Sequence, residues 1–380
     1  MQTDLYGNAL GKQPTFELSL HQKHQATLLH HWTSKTYLEG LLSLIDALMK
    51  GADLNLELAR IQGRDELIAN PQWGVRDTAA NWGSMAGPTL EDFRRSTIKL
   101  IAWRATDLYC GTGLTQCERM LSELSLYWMT PDEKAWFDAQ WSTVSDYAYR
   151  LDQAVGVGTE RPLDDWAMAS QWMKLAARFP RLPKFKVHTD RQFNTGEMPG
   201  RTGVYVPVGD PDGVLQFGWT GSKHGALGAC NTLSPIGQKI LGRVGRQRMW
   251  VDRPAMVAVV SPMYASGELS DRGGFPMDSE LDPDAINGVI SDSCFVDRPC
   301  KWYFVEKLDG QFEEPEPEQA GADLQSAERL RCPAGQPCPR AGTWSTPAVT
   351  GSRHFNQGEI MPDMNSDYGQ TIWYFERAAD

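Results

Sequence analysis

Pro180-Arg-Leu-Pro-Lys-Phe-Lys186 separates two regions of different character in this sequence. Before it, apolar side chains recur three and four positions apart, which is typical of amphipathic helices. Its two prolines cannot lie inside a helix, and they end that pattern. After it, short β-branched and aromatic runs alternate with Gly, Pro and Asp clusters. The sequence therefore predicts an α+β protein, with an all-α helical domain over residues 1–182 and a mostly β C-terminal region.

Start signals place helices within the N-terminal region. Thr130 is followed by a proline and two acids, a pattern typical of a helix start. Thr89, followed by two acids within three residues, is a second candidate N-cap. The first long helical stretch is expected to break near Gly51. Helices are expected over residues 17–60, 89–109, 114–129, 131–154 and 163–178.

The β region is expected to consist of three parts. A β-rich domain over residues 183–312 contains one helix, from Ser234 to about Val244. An acidic, proline-containing linker follows over residues 313–330. A small C-terminal β module over residues 331–380 packs on the preceding domain. Strand-like runs occupy residues 203–208, 214–219, 256–260, 301–307 and 371–375.

A short internal sequence similarity suggests that the β region contains two related small modules. Arg201-Thr-Gly-Val-Tyr-Val-Pro resembles Arg340-Ala-Gly-Thr-Trp-Ser-Thr-Pro, and both strings follow a turn rich in Gly or Pro. Strands and turns can repeat such patterns by chance, so this similarity alone leaves the relation between the modules open.

Charge and hydropathy narrow the classes of partner. The 380 residues carry a net charge of -11, which argues against general nucleic-acid binding, because that binding depends on neutralising phosphates. No apolar stretch is long enough to span a membrane, and the N-terminus does not resemble a secretory signal. We expect a cytoplasmic protein with a basic protein partner, no nucleic acid and no membrane contact.

Searching for catalytic motifs gives no match. There is no Gly-x-Ser-x-Gly elbow, and Gly221-Ser-Lys-His-Gly-Ala-Leu-Gly lacks the spacing of a phosphate-binding loop. Cys332 and Cys338, with His354, are the best metal candidates. Five residues separate the two cysteines, whereas paired zinc ligands usually keep about two to four between them. We therefore expect no catalytic residue, no cofactor and no bound metal.

Several longer strings resemble immunity proteins that are encoded beside polymorphic toxins and type VI secretion effectors in Gram-negative bacteria. These strings are Thr202-Gly-Val-Tyr-Val-Pro, Leu215-Gln-Phe-Gly-Trp-Thr-Gly, Cys230-Asn-Thr-Leu-Ser-Pro-Ile-Gly, Gly242-Arg-Val-Gly-Arg, Arg298-Pro-Cys-Lys-Trp-Tyr-Phe-Val-Glu, Cys338-Pro-Arg-Ala-Gly-Thr-Trp and Phe355-Asn-Gln-Gly-Glu-Ile-Met-Pro. The helical region is similar in style to that of such proteins.

This resemblance implies a protein that binds and neutralises a cognate toxin encoded nearby. An acidic inhibitor suits a basic toxin, because complementary charge speeds encounter. We expect toxin contacts at the acidic linker, the one locally basic patch and an aromatic side chain. The candidate contact residues are Glu313, Glu314, Glu316, Arg243, Arg246 and Trp219.

Other interpretations remain open on the sequence alone. The arginine patch could instead pair internally or be solvated. The chain could be an effector adaptor or chaperone, which would bind outside the toxic domain. It could also be an enzyme of unrecognised type, which would need a deep polar pocket between the helical and β regions.

Overall fold

The computed structural model describes residues 16–68, 77–156, 163–269, 290, 293–313, 331–346, 352–364 and 371–378. The chain divides into two compact units, Met1–Glu313 and Glu314–Asp380. The first unit contains the helical region and a β-sheet, and the second contains a separate β-sheet. The architecture is α+β, as the sequence predicts.

The described part of the helical region contains seven α-helices before residue 176. They are α1 Leu20–Trp32, α2 Lys35–Ile61, α3 Arg64–Ile68, α4 Ala79–Trp103, α5 Leu114–Ser122, α6 Pro131–Val155 and α7 Asp165–Leu175.

Helix α6 begins where its start signal predicts. The Thr130 side chain accepts a hydrogen bond from the Glu133 backbone N–H at 3.3 Å, and the Glu133 carboxylate accepts one from the Thr130 N–H at 2.9 Å. This reciprocal box satisfies two donors that the first helical turn would otherwise leave unpaired. The C-terminal residue Gly156 has a φ of 59°, the left-handed conformation that commonly ends a helix.

The predicted break near Gly51 is wrong, because α2 continues through this position. Gly51 is instead a point of close helix packing: a Cβ added there would lie 2.0 Å from Cη2 of Trp136 in α6. The break lies earlier, where the Thr33 hydroxyl donates to the Leu29 carbonyl at 2.7 Å and Ser34 caps α2. Local capping, rather than glycine, divides this stretch into two helices.

The predicted N-cap at Thr89 is also wrong. Thr89 lies inside α4, where its hydroxyl donates to the Met85 carbonyl at 2.9 Å. The cap is Thr78, and the Asp65 carboxylate of α3 also accepts the Ala79 N–H at 2.6 Å. A carboxylate from another helix stabilises this N-terminus through hydrogen bonding and the helix dipole. Such a tertiary cap leaves no local signal in the sequence.

The strands form two four-stranded antiparallel sheets and one two-stranded ribbon within the described residues. The first sheet contains β1 Pro183–Asn194, β2 Gly203–Pro207, β3 Gln216–Gly218 and β6 Lys301–Phe312. The ribbon pairs β4 Cys230–Leu233 with β5 Phe295–Arg298. The second sheet contains β7 Arg331–Pro333, β8 Gly342–Ser345, β9 Ser352–Phe355 and β10 Ile372–Ala378.

Residues 256–260, predicted as a strand, lie in a helix. They belong to α9 Arg253–Ala265, which follows the correctly expected α8 Pro235–Val244. The described β region therefore contains α9 in addition to the expected α8. The Asp252 carboxylate accepts the Ala255 N–H at 3.0 Å, and Pro254 lies in the first turn, so the local start signal was that of a helix.

The two four-stranded sheets share one topology. In each, the strands taken in chain order lie side by side as first, fourth, second and third, and every neighbouring pair is antiparallel. The pairing register also corresponds: Tyr205 lies opposite Phe304, and Trp344 lies opposite Phe375. The insertion that carries β4, α8, α9 and β5 separates the third and fourth strands of the first sheet only.

Backbone hydrogen bonds around the two sheets match as well. Gly196 donates to the Leu227 carbonyl at 2.7 Å, and Gly335 donates to the Met361 carbonyl at 2.8 Å. Both glycines have a positive φ, 85° and 83°. Leu227 donates back to the Glu197 carbonyl at 3.1 Å, and Met361 to that of Gln336 at 3.0 Å.

An aromatic side chain closes the same turn in both sheets. The Tyr205 hydroxyl donates to the Arg201 carbonyl at 2.7 Å, and the Trp344 indole N–H donates to the Arg340 carbonyl at 3.1 Å. These residues belong to the two similar strings noted in the sequence, which begin at Arg201 and Arg340. We name the repeated unit the four-strand module.

Equivalent positions of the two modules form one buried face each. Trp302 and Trp373 occupy the same register position on the fourth strand, and both are fully buried. The face of the first module contains Phe193, Tyr205, Leu227 and Trp302, and that of the second contains Cys332, Trp344, Met361 and Trp373.

The other face of the first sheet packs on the helices. Val204 and Val305 lie in one continuous core with Leu28 of α1 and Leu38 of α2, and all four are fully buried. Burying each such side chain stabilises the fold by about 1.5–3 kcal/mol. The predicted boundary at residue 182 therefore marks the change from helix to strand within one compact unit.

The predicted acidic linker lies outside the described residues, except for Glu313. Residues 331–346, 352–364 and 371–378 form the described part of the predicted C-terminal module, with its own core. Its packing on the preceding domain stays a prediction.

Candidate functional site

The predicted contact residues occupy different environments. Arg243 is exposed at the end of α8. Glu313 is half-buried and forms an ion pair with Lys23 of α1 at 2.7 Å. Trp219 is buried, and its indole N–H donates to the Ser222 hydroxyl at 3.0 Å. Glu314 and Glu316 lie outside the described residues.

Arg246, the remaining predicted contact, takes part in a buried ionic network. Its guanidinium donates to Asp165 at 2.6 Å and to Asp212 through its second nitrogen. The fully buried Asp165 carboxylate also receives the Trp250 indole N–H at 2.9 Å and contacts the His21 imidazole. The network joins α1, α7 and the segments that follow β2 and α8. Arg246 therefore positions these elements, which is the internal role left open by the sequence.

Opposing effects set the charge state of Asp165. Burial alone would raise the pKa of its carboxyl, but the hydrogen bond with His21 and the charge of Arg246 lower that pKa below its usual value. Trp250 is held at a φ of 70°, an uncommon conformation for a bulky residue. We interpret this network as structural, because its charges are matched to one another and not to an open cavity.

Several exposed apolar side chains lie close in the chain to Arg64 or to the residues whose carbonyls it binds, Asn55 and Trp128. Arg64 donates to the Trp128 carbonyl at 2.8 Å and to Glu133 at 2.6 Å, which ties α3 to the start of α6. Beside these groups, Leu67 and Tyr127 are both 82% exposed. Leu54 and Ile61 of α2 add further exposed apolar area, at 60% and 67%. We name these four side chains the Arg64 surface.

Acidic side chains accompany the Arg64 surface. Asp53 precedes Leu54, Glu66 precedes Leu67, and both acids are exposed. Apolar anchors with a charged rim are the usual composition of a protein interface. Arg60, which precedes Ile61, is paired with Glu57 at 2.6 Å, so Asp53 and Glu66 give the rim its negative sign. That sign suits a basic partner, as does the net charge of the chain.

A second feature is a groove between the helical region and the edge of the first sheet. Its volume is about 510 Å³, and its walls come from α1, the start of α2, the segment after α7, β1 and β6. Five of its lining side chains are histidine, arginine or lysine: His30, His31, Arg178, Arg181 and Lys307. We name it the basic groove.

The two histidines of the basic groove are held neutral at pH 7. Burial, followed by the nearby charge of Lys307, lowers the pKa of His30 to about 4. Burial also lowers the pKa of His31, and the charges of Arg178, Lys307 and Arg150 lower it further. The Nε2 atoms of both rings are buried without a hydrogen-bond partner among the described residues.

A smaller cavity of about 240 Å³ lies between the helices and the segment around β3. Leu29, Met168 and Trp219 contribute apolar walls. Its polar lining includes Asn231, whose amide donates to the Asp297 carboxylate at 2.9 Å. The side-chain oxygen of Asn231, Oδ1, is buried without a partner in the described structure, so a bound water or ligand donor would satisfy it.

The cysteines show no metal-binding cluster in the described residues. Cys332 and Cys338 are buried in the second module, and burial raises the pKa of the Cys332 thiol. His354 lies on β9 opposite Thr343. Among all the residues that the structure describes, no helix is long and apolar enough to cross a membrane.

Neither the basic groove nor the Arg64 surface was predicted from the sequence. The groove brings His30 together with Arg178 and Lys307, which are far apart in the chain. Leu67 and Tyr127 come from a short helix and a connecting loop, where apolar periodicity says little about exposure. The only local signal was the unusual density of histidine in α1.

Comparisons with family models, curated proteins and solved structures find no match to this chain.

Proposed function

We propose that this protein is an immunity protein that binds and neutralises a cognate antibacterial toxin. The toxin belongs to a type VI secretion or other polymorphic-toxin system, is encoded nearby and acts in the cytoplasm. Neutralisation occurs by stoichiometric binding and not by turnover of a substrate.

The observation that carries the proposal is the repeated four-strand module. Two of the strings that resemble immunity proteins, around Thr202 and Cys338, contain the turn that an aromatic side chain closes in each module. Two more, around Trp302 and Phe355, provide strands of the modules. These strings therefore form a scaffold, which suits a protein whose role is to present a binding surface.

We assign toxin contact to the Arg64 surface. Leu67 and Tyr127 are highly exposed and lie beside the ordered Arg64 to Glu133 ion pair, so their burial by a partner would cost little ordering of the backbone. The acidic rim favours a basic toxin domain and would speed association at low salt. Arg243 is a second exposed candidate.

Co-expression tests the proposal. The toxin domain encoded beside this gene is expressed in a susceptible bacterium with and without this protein, and viable counts are measured together with co-purification. We expect rescue and a stable stoichiometric complex. Rescue without a complex would favour an enzyme, and a complex without rescue would favour an effector adaptor.

Two matched variants test the contact surface. Leu67→Asp should weaken the complex at least about tenfold, because interface anchors commonly contribute about 2 kcal/mol or more. Ile98→Asp is the control, since Ile98 is an exposed apolar residue of α4 outside the Arg64 surface. Equal affinity of both variants for the toxin would remove the Arg64 surface from the proposal while leaving neutralisation intact.

A further inference from the structure

We propose that the basic groove is a binding site for a small oxyanion ligand, such as a phosphate-bearing metabolite. This site lies apart from the proposed toxin contacts at the Arg64 surface, and the inference does not rest on the proposed function.

The first reason is unmatched positive charge. Arg178 and Lys307 are exposed at the groove and form no ion pair with the described residues. The guanidinium of Arg181 stacks over the Phe312 ring at 4.6 Å, which leaves its N–H donors free to bind a ligand. Asp309 is the one carboxylate among the groove's lining residues. Such an excess of cations is unusual in a chain with a net charge of -11.

The second reason is the start of α2. Ser34 caps this helix, and Ser34 and Thr36 both line the groove. The first turn of α2 contains no acidic side chain, so its partial positive charge is not offset locally. Helix N-termini are common phosphate-binding sites. The hydroxyl of Thr36 can add a donor, whereas that of Ser34 already donates to the His31 carbonyl at 2.7 Å. A 27-residue helix places this terminus firmly in the groove wall.

The third reason is the pair of neutral histidines. Their buried Nε2 atoms have no partner in the described structure, although buried polar atoms are normally hydrogen-bonded. The charges of Arg178 and Lys307 help to keep His31 neutral. An anion bound beside these cations would reduce their field and raise the pKa of His31. The groove therefore contains its own reporter of anion binding.

The size and chemistry of the groove favour a phosphate group over a simple ion. Its volume of about 510 Å³ is in the usual range for small-molecule sites, about 300–1,000 Å³. Arginine binds phosphate and carboxylate oxygens in a bidentate manner, and lysine adds a point charge. Three cations, two from the segment after α7 and one from β6, match a group with several oxygens better than a single carboxylate.

Calorimetric titration of the full-length protein with pyrophosphate, and separately with citrate, tests this site. We expect saturable binding of pyrophosphate. Arg178→Gln and Lys307→Gln should each weaken it about tenfold, because charge-assisted hydrogen bonds are lost. Lys184→Gln is the control: Lys184 is an exposed lysine of β1 that does not line the groove. Tighter binding of citrate would keep the oxyanion site and identify carboxylates as its ligands.

Proton NMR of the His31 ring provides a second readout that unfolding of a variant cannot imitate. In the wild-type protein, saturating pyrophosphate should raise the pKa of His31, while the pKa of His24 outside the groove stays unchanged. The proposal is overturned if neither anion binds saturably, if Lys184→Gln loses as much affinity as the groove variants, or if the His31 titration does not move.

Discussion

At the scale of single residues, the stability of the first unit depends on the buried carboxylate of Asp165. It is fully buried and shares its two oxygens among His21, Arg246 and Trp250. Replacing it with asparagine would remove one of the two carboxylates that the partly buried Arg246 binds and leave Asp212 as the other. We expect Asp165→Asn to lower the free energy of unfolding by about 3–5 kcal/mol, measured by urea denaturation. Asp190→Asn, at an exposed carboxylate, should change it by less than about 0.5 kcal/mol.

The same carboxylate makes a pH-dependent contribution. Its pKa is lowered in the folded protein, so its stabilisation is fully present above the unfolded pKa of 3.8 and is lost as the pH falls through the lower folded value. Between pH 7 and 4, any loss of stability must therefore come from other groups, and the histidines of α1 are the leading candidates.

The lowered pKa of His24 predicts a measurable loss of stability between pH 7 and pH 4. Burial, followed by the charge of His21, lowers the pKa of His24 to about 4, while the unfolded chain titrates at 6.5. The unfolded state therefore binds more protons between these values, and stability falls as the pH falls from 7 to 4. The contribution is at most about 3 kcal/mol.

His24→Phe should flatten this slope. The His24 ring stacks on Trp172 at 3.9 Å, and phenylalanine preserves that contact while removing the titration. Urea denaturation at several pH values checks it. An unchanged slope in the variant would assign the pH dependence to His30, His31 or the unfolded state.

At the scale of secondary-structure elements, the contact between α2 and α6 depends on Gly51. A methyl group at this position would overlap the Trp136 ring, at 2.0 Å from Cη2. Overpacking of this kind costs about 1–3 kcal/mol, so Gly51→Ala should destabilise the protein despite the better helix propensity of alanine.

Gly87→Ala is the matched control. Gly87 lies within α4, and a Cβ there would have no neighbour within 4 Å. The substitution should raise the free energy of unfolding by about 0.5–1 kcal/mol through propensity alone. Thermal denaturation should show opposite signs for the two variants, and equal signs would disprove the close approach at Gly51.

The elements that the sequence predicted correctly are those with redundant signals. Helix α6 has a capping box, an initial proline and a long apolar stripe, and it begins at the expected residue. Residues 256–260 were assigned wrongly because a short apolar run has no distinguishing period. The Arg201 and Arg340 strings suggested related modules from local turn chemistry and left their relation open. The basic groove could not be predicted, because it depends on tertiary contact between distant segments.

At the scale of the whole molecule, the two modules have equivalent interiors in different settings. In the first unit the sheet packs on one side against the helices, whose core includes Val204 and Val305. In the second unit, the described apolar core is the single cluster around Trp344 and Trp373. A duplicated module therefore forms part of a large unit in one case and of a small one in the other.

Small units bury less surface and are less stable, so the second unit should unfold first on heating.

Tryptophan substitutions at equivalent positions test whether the units unfold separately. Trp373→Ala should destabilise the second unit by about 3–5 kcal/mol, because it removes a fully buried ring, and should leave the main transition unchanged. Trp302→Ala, at the corresponding position of the first module, should lower the main transition instead. Differential scanning calorimetry distinguishes these results. If both variants shifted one common transition, the two units would form a single cooperative structure, and the repeated modules would be coupled in folding as well as alike in topology.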